Sequence, residues 1–295
     1  TVFVNAGDIV KGGKQDRYLA NSLVVPPKSG KVTLASFCVE SGRWAKRGDE
    51  GVANFSRSKF MAASVEQKLA AQYLKNQGEV WAQVANSRAM FYLATSGYST
   101  RTVTIPNQAA IDPSTGLPLT TQSLAQTVAG DDSPGLSQAN LGGSTSLQLA
   151  LEDPKIQELV KGYVDQMERQ MKAQKNPVGF AVAINGKVIS ADIYSQPALF
   201  QALWPKLINA AATEAVAKFD KKLKVQQLKP AVFEAFLKNE KQESRKHQKL
   251  NDRTTLLTTK GDRHILFETH DQHNNTGWIH RSFLATPKPA PKPKK

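Results

Sequence analysis

Two short stretches near the start of the chain hold most of its chemically costly side chains. They are GGKQDR (Gly12 to Arg17) and CVESGRW (Cys38 to Trp44). Arg17 and Arg43 carry planar forks suited to carboxylate or phosphate. Asp16 and Glu40 are carboxylates that suit a general base or a group that orients a ligand hydroxyl. Lys14 and Gln15 add donors, and the Trp44 indole suits stacking on a flat ring. Two readings compete. In one, the acids and guanidiniums pair with each other and lock two loops together. In the other, the same groups line a pocket for an anionic, nucleotide-like small molecule.

Cys38 is the only cysteine. A catalytic thiol needs a nearby base, usually His. All five histidines fall at position 247 or later, so a base for Cys38 would have to come from the C-terminal segments. A lone Cys on a strand is more often a small core residue. Gly12-Gly13-Lys14 is not a phosphate-binding P-loop, because Gln15 follows the lysine and the spacing differs. Glu268, His270 and His273 form a weak metal-ligating candidate set beside Asp271, without HExxH or paired-cysteine spacing. GxSxG is missing, so the sequence argues no Ser-His-Asp arrangement. No cofactor is indicated.

Each polar stretch must be held by something, and strands are the natural supports. Val2 to Val10, Leu23 to Val25 and Val32 to Val39 read as strands, with turn chemistry at Gly12-Gly13 and at PPKSG. Cys38 and Glu40 would share a face by the two-residue period. Phe55 to Leu74 reads as a helix, because Met61, Val65, Leu69 and Tyr73 recur at helical spacing. A second helix carries Val80, Val84 and Phe91. Tyr98 to Ser146 is rich in Thr, Ser, Gly, Gln, Asn and Pro and reads as a polar insertion. Asp153-Pro154 marks a helix start. GFAVAI, Asn185-Gly186 and KVISADI predict a hairpin with a type I′ turn. A helix is predicted over Pro197 to Phe219, kinked or divided at Pro205. Another starts at Pro230, its distal half KNEKQESRKHQK projecting into solvent as a basic helix. Three strands close the chain, before the Pro/Lys-rich tail from Thr286 to Lys295, which reads as disordered.

The expected class is α+β, with a mixed or antiparallel sheet drawn from strands at both chain ends plus the central hairpin, and helices packed on it. The expected organisation is a single domain over residues 1–285. The 295 residues, 40% hydrophobic and 22% charged, allow a packed core. No apolar run reaches the length of a membrane helix. The net charge of +14 favours anionic partners: a small molecule, an acidic protein or polymer met through the Lys-rich tail, or nucleic acid. Nucleic acid ranks last, since no recognised nucleic-acid motif is present. Compartment stays open. One cysteine forms no internal disulfide, and a chain opening inside a strand is expected to have upstream residues missing, where a targeting segment could lie.

GDIVKGGKQDR, FCVESGRW, QGEVWAQV (Gln77 to Val84) and GFAVAINGKVISADIYSQPALFQALWPKL (Gly179 to Leu207) occur here in one order. In these motifs the chain resembles the ARG and rhodanese-phosphatase-superfamily-associated protein domain, where ARG denotes ADP-ribosylglycohydrolase. The likeness covers most of the chain outside the polar insertion. It implies a context in ADP-ribose or phosphate-linked metabolism rather than an assigned reaction. It places shared polar residues at Lys14, Gln15, Asp16, Arg17, Cys38, Glu40, Arg43 and Trp44. GDIV departs from the family's usual GEIV, so Asp8 reaches less far than a Glu would. Two function classes follow: a domain binding or processing an anionic, ADP-ribose- or nucleotide-like molecule, and a non-catalytic interaction module contacting an acidic partner through basic surface and tail.

Overall fold

The computed structural model describes residues 1–45, 53–62, 64–95, 144–218, 220, 223, 227–274 and 277–286. Most of the predicted polar insertion and of the Pro/Lys tail lies outside these residues. The class is α+β, built from antiparallel sheets and helices.

The strands at the start of the chain are short and serve two sheets. β1 (Val2–Val4) pairs with β4 (Leu23–Val25). β2 (Asp8–Gly12), β3 (Arg17–Leu19), β5 (Ser36–Cys38) and β6 (Phe55–Met61) form a four-stranded sheet in the order β5-β3-β2-β6. The single strand expected over Val2 to Val10 is therefore two, broken at Asn5–Gly7, where Gly7 takes φ +96°.

The helix expected over Phe55 to Leu74 begins only at Val65. Phe55–Met61 pairs with β2 instead, and its burial alternates at Ser58 and Phe60. α1 (Val65–Leu69) starts where the Ser64 hydroxyl accepts the Gln67 N–H and runs into a π-helical turn, Ala70–Leu74. α2 spans Gln77–Thr95.

α3 (Leu147–Glu152) was hidden at the end of the polar segment, capped by Ser146. α4 (Pro154–Lys172) starts as expected, with the Asp153 carboxylate accepting the Lys155 and Ile156 N–H groups. β7 (Gly179–Ile184) and β8 (Lys187–Tyr194) form the predicted hairpin. Asn185 and Gly186 take φ +53° and +74°, the positive pair that a type I′ turn requires. α5 (Pro197–Lys218) carries Pro205 inside a single helix. α6 (Pro230–Leu237) is short. The basic stretch after it is no helix: Gln242–Lys249 is strand β9. β10 (Thr254–Gly261), β11 (His264–Asp271) and β12 (Trp278–Ala285) complete a six-stranded sheet, β7-β8-β12-β11-β10-β9.

Helices cover both faces of this larger sheet. Val65 and Leu69 of α1 pack on Leu256, Ile265, Phe267 and Leu284. Phe236 of α6 packs on Ala191 and Phe283. A separate cluster joins Ile9, Tyr18 and Phe60 of the smaller sheet to Val80, Val84 and Phe91 of α2, Leu147 and Leu151 of α3, and Ile156 and Val160 of α4. Burying a large aliphatic side chain stabilises by about 1.5–3 kcal/mol, so this cluster holds α2 and α3 against the strands that carry the polar loops. None of the described helices is long and apolar enough to cross a membrane.

Candidate functional site

The two polar stretches meet because β3 is the strand between β2 and β5. Val10 pairs with Arg17, and Arg17 pairs in turn with Cys38. The turn from β2 into β3 is tight. Gly12 takes φ +122°, and a Cβ there would lie 2.4 Å from the Asn54 carbonyl oxygen, so only glycine fits. That turn buries Gln15 and Asp16 completely and leaves Lys14 exposed. Beyond β5, Val39 N–H donates to the Asp16 carbonyl (3.2 Å) and Leu147 N–H to the Val39 carbonyl (3.2 Å). Glu40 bridges to Ser146. Gly42, at φ +83°, turns the chain beside Arg43.

Arg43 is the hub. Its Nε donates to Glu40 Oε2 at 2.6 Å, Nη1 donates to the Ala45 carbonyl at 2.7 Å, and Nη2 lies 3.8 Å from Asp16 Oδ1. Asp16 also accepts the Gly12 N–H (3.1 Å) and the Ser146 hydroxyl (3.4 Å). Arg88, buried on α2, is a member that sequence reasoning missed. Burial pulls its guanidinium below the ordinary value, and the charge of Glu40 opposes that. In sequence it looks like one more helix-face arginine. The cluster thus sets Arg43 and Arg88 against Asp16 and Glu40, with Arg17 on the neighbouring strand turned to the Cys38 thiol. Trp44, 62% exposed, stands beside it.

Two features are unsatisfied. Among the described residues, both amide atoms of the fully buried Gln15 lack a hydrogen-bond partner, and so does Arg43 Nη2. Buried polar groups are nearly always paired, and each orphan costs about 1–3 kcal/mol. A cavity of about 10 Å³ and a surface cleft of about 320 Å³ are both lined by other residues.

Cys38 is buried and its contacts are specific. Arg17 Nη1 donates to its thiol. The Gln77 side chain accepts its N–H and donates to its carbonyl, both at 2.8 Å, so one amide continues the sheet where a strand would lie. No histidine enters these contacts among the described residues. The weak metal set is dispersed in the same sense. Glu268 pairs with His270 Nε2 at 2.5 Å and with Arg281, and Asp271 is held by Arg253 at 2.6 and 2.8 Å. His273 meets Asp271 through its backbone N–H. No group of three or more metal-ligating residue types comes together among the described residues.

A second polar centre lies inside the molecule. Lys206 of α5 pairs with Asp8 of β2 at 2.7 Å. Lys68 of α1 lies 3.9 Å from Asp192 of β8. His280 of β12 bonds Asp192 Oδ1 through Nε2 and Ser22 Oγ through Nδ1, each at 3.0 Å. The Ala6 N–H also donates to Ser22 Oγ, so this hydroxyl links the N-terminal segment to the His280 ring. Tyr194 stacks on His280 with centroids 4.4 Å apart. Burial pushes the Asp192 carboxyl upward, but Lys68, then His280 and Ser282, outweigh it and hold it at about 2. Burial, with Asp192 and Asp8 adding to it, pushes the Tyr18 and Tyr194 phenols well up. Ser22, His280 and Asp192 are the types of a nucleophilic triad, but all three are at most 4% exposed. The nearby 10 Å³ cavity, lined by Lys68, Ser190 and Glu214, holds one water at most. As it stands this chain of bonds fastens the N-terminal segment to the large sheet. Its sequence signal is the polar alternation Ser190, Asp192, Tyr194 on the buried face of β8.

Residues 1–284 match the family described as the ARG and Rhodanese-Phosphatase-superfamily-associated Protein domain. The chain belongs to that family. No curated protein and no solved structure matches it.

Proposed function

We propose that this member of the family binds an anionic small molecule, ADP-ribose- or nucleotide-like, where GKQDR and ESGRW meet. The carrying observation is the buried Gln15 amide, neither atom of which is hydrogen-bonded among the described residues, in the turn that also carries Asp16, which Arg43 Nη2 faces at 3.8 Å. Those groups suit a phosphate or ribose oxygen. Arg43 and Arg17 hold the anion, Lys14 adds charge at the rim, and Trp44 offers a face for a base. Asp16 or Glu40 positions a ligand hydroxyl or takes its proton. Lys14 and Arg17, outside the pairs made by Arg43 and Arg88 with Asp16 and Glu40, leave a positive excess for a negative group.

The competing reading is that the cluster only locks two loops. Calorimetric titration with ADP-ribose, ADP and inorganic phosphate separates the two, using the parent, Arg43→Ala and Gln15→Leu. Ligand binding predicts that both variants lose affinity, by tenfold or more for a lost charge-assisted pair of about 1.5–3 kcal/mol. Gln15→Leu should also melt at or above the parent temperature, because it removes an orphaned amide. Variants that titrate as the parent does, or a parent that binds none of the three, would leave only the lock.

A further inference from the structure

Strand β9 raises a separate question. All eight residues of QESRKHQK are exposed, so the strand buries no apolar side chain. It is held by pairing with β10, from Thr255↔Lys249 to Lys260↔Ser244. It is also the last strand in its sheet, so its outer N–H and C=O groups face no strand among the described residues. An edge of this length without a partner strand among the described residues is a template for another chain.

The charges on this edge select what can add to it. Glu243 is taken up by Lys260, and Lys249 by Asp252 at 2.8 Å. Among the described residues Arg245 and Lys246 have no acidic partner. As neighbours on a strand they point to opposite faces, so both faces of an added strand would meet a cation. A second copy of β9 would set like charges opposite one another, which is destabilising. Single-stranded nucleic acid binds through stacking aromatics as well as charge, and β9 carries none.

We propose that the outer edge of β9 is a docking site for an extended acidic peptide segment, which adds as a seventh strand with its carboxylates against Arg245 and Lys246. Main-chain bonds supply the affinity and the charge rows supply the selection. This site is independent of the ligand reading above.

The test uses the full chain and fluorescence anisotropy. One labelled probe is a peptide as long as β9 with alternating Glu and Val. The second has the same charge, with prolines replacing the valines, and cannot pair. The third is oligo-dT of equal charge. The expected result is binding of the first probe alone, weakened roughly tenfold in Arg245→Glu/Lys246→Glu, since two lost and reversed surface pairs amount to about 1–2 kcal/mol. Both positions are exposed, and circular dichroism checks the fold. Equal binding of the proline probe, preferential binding of oligo-dT, or undiminished peptide binding by the double variant would each overturn the proposal.

Discussion

The Lys68–Asp192–His280 chain makes a prediction whose sign is fixed by its geometry. The folded state holds the Asp192 carboxyl at about 2, against an ordinary 3.8. A folded value below the unfolded one means that the unfolded chain takes up the proton first. The stabilisation from this carboxylate is therefore complete above 3.8. It declines as pH falls through that value toward 2, and is gone below. The gap corresponds to about 2 kcal/mol, a sizeable part of the 5–15 kcal/mol typical of a domain. Lys68→Met removes the largest single contribution holding the value down. In that variant the folded carboxyl rises, and at neutral pH the buried carboxylate, left with His280 and Ser282 alone, costs about 1–3 kcal/mol. Urea-unfolding free energies measured from neutral pH down to about 2 should show the parent–variant difference narrowing by about 2 kcal/mol below 3.8. Other carboxylates are common to both proteins and cancel. A difference that stays constant across that range would refute the assignment of Lys68 as the group that stabilises the charge.

Two further expectations rest on single contacts. Gln77→Ala removes the amide that satisfies both backbone groups of Cys38; it should cost about 1–3 kcal/mol in chemical unfolding and raise the rate at which Ellman's reagent reaches the thiol. Lys206→Met leaves the half-buried Asp8 without its cation and should cost about 1–3 kcal/mol, whereas adding Asp8→Asn should recover most of that loss, as read from melting temperatures of the two variants.

Local chemistry was legible in the sequence, and pairing across the chain was not. Asn185-Gly186 and Asp153-Pro154 each dictate backbone geometry through their own side chains or φ preferences, so the hairpin and the start of α4 follow from a few residues. Phe55–Met61 misled because Met61 happens to fall in helical spacing with Val65, Leu69 and Tyr73. Its strand state comes from β2, a partner that no local period reveals. The same holds for QESRKHQK, a sequence of weak strand formers that β10 holds extended. For the candidate site, residue types pointed to both loops. Their meeting depends on the β3–β5 register and on Ser146 arriving from beyond the polar segment. Arg88 carried no signal, because its burial is a property of the packed helix and not of the helix sequence.

The energetics of the cluster weigh on which of its two readings survives. An ion-pair lock accounts for Arg43 bonded to Glu40 and facing Asp16, and for the Gly12 and Ser146 contacts that complete Asp16. It does not account for Gln15. A lock has no use for an amide there. Leucine would fill similar volume and spare the desolvation of two polar atoms, about 1–3 kcal/mol each. Nor does a lock need Trp44 held largely in solvent beside it. A hydroxyl or oxyanion bound at the amide N–H would return in the complex what the free protein lacks. Stability given up in the empty state and recovered on binding is the expected signature of a site rather than of a fastening.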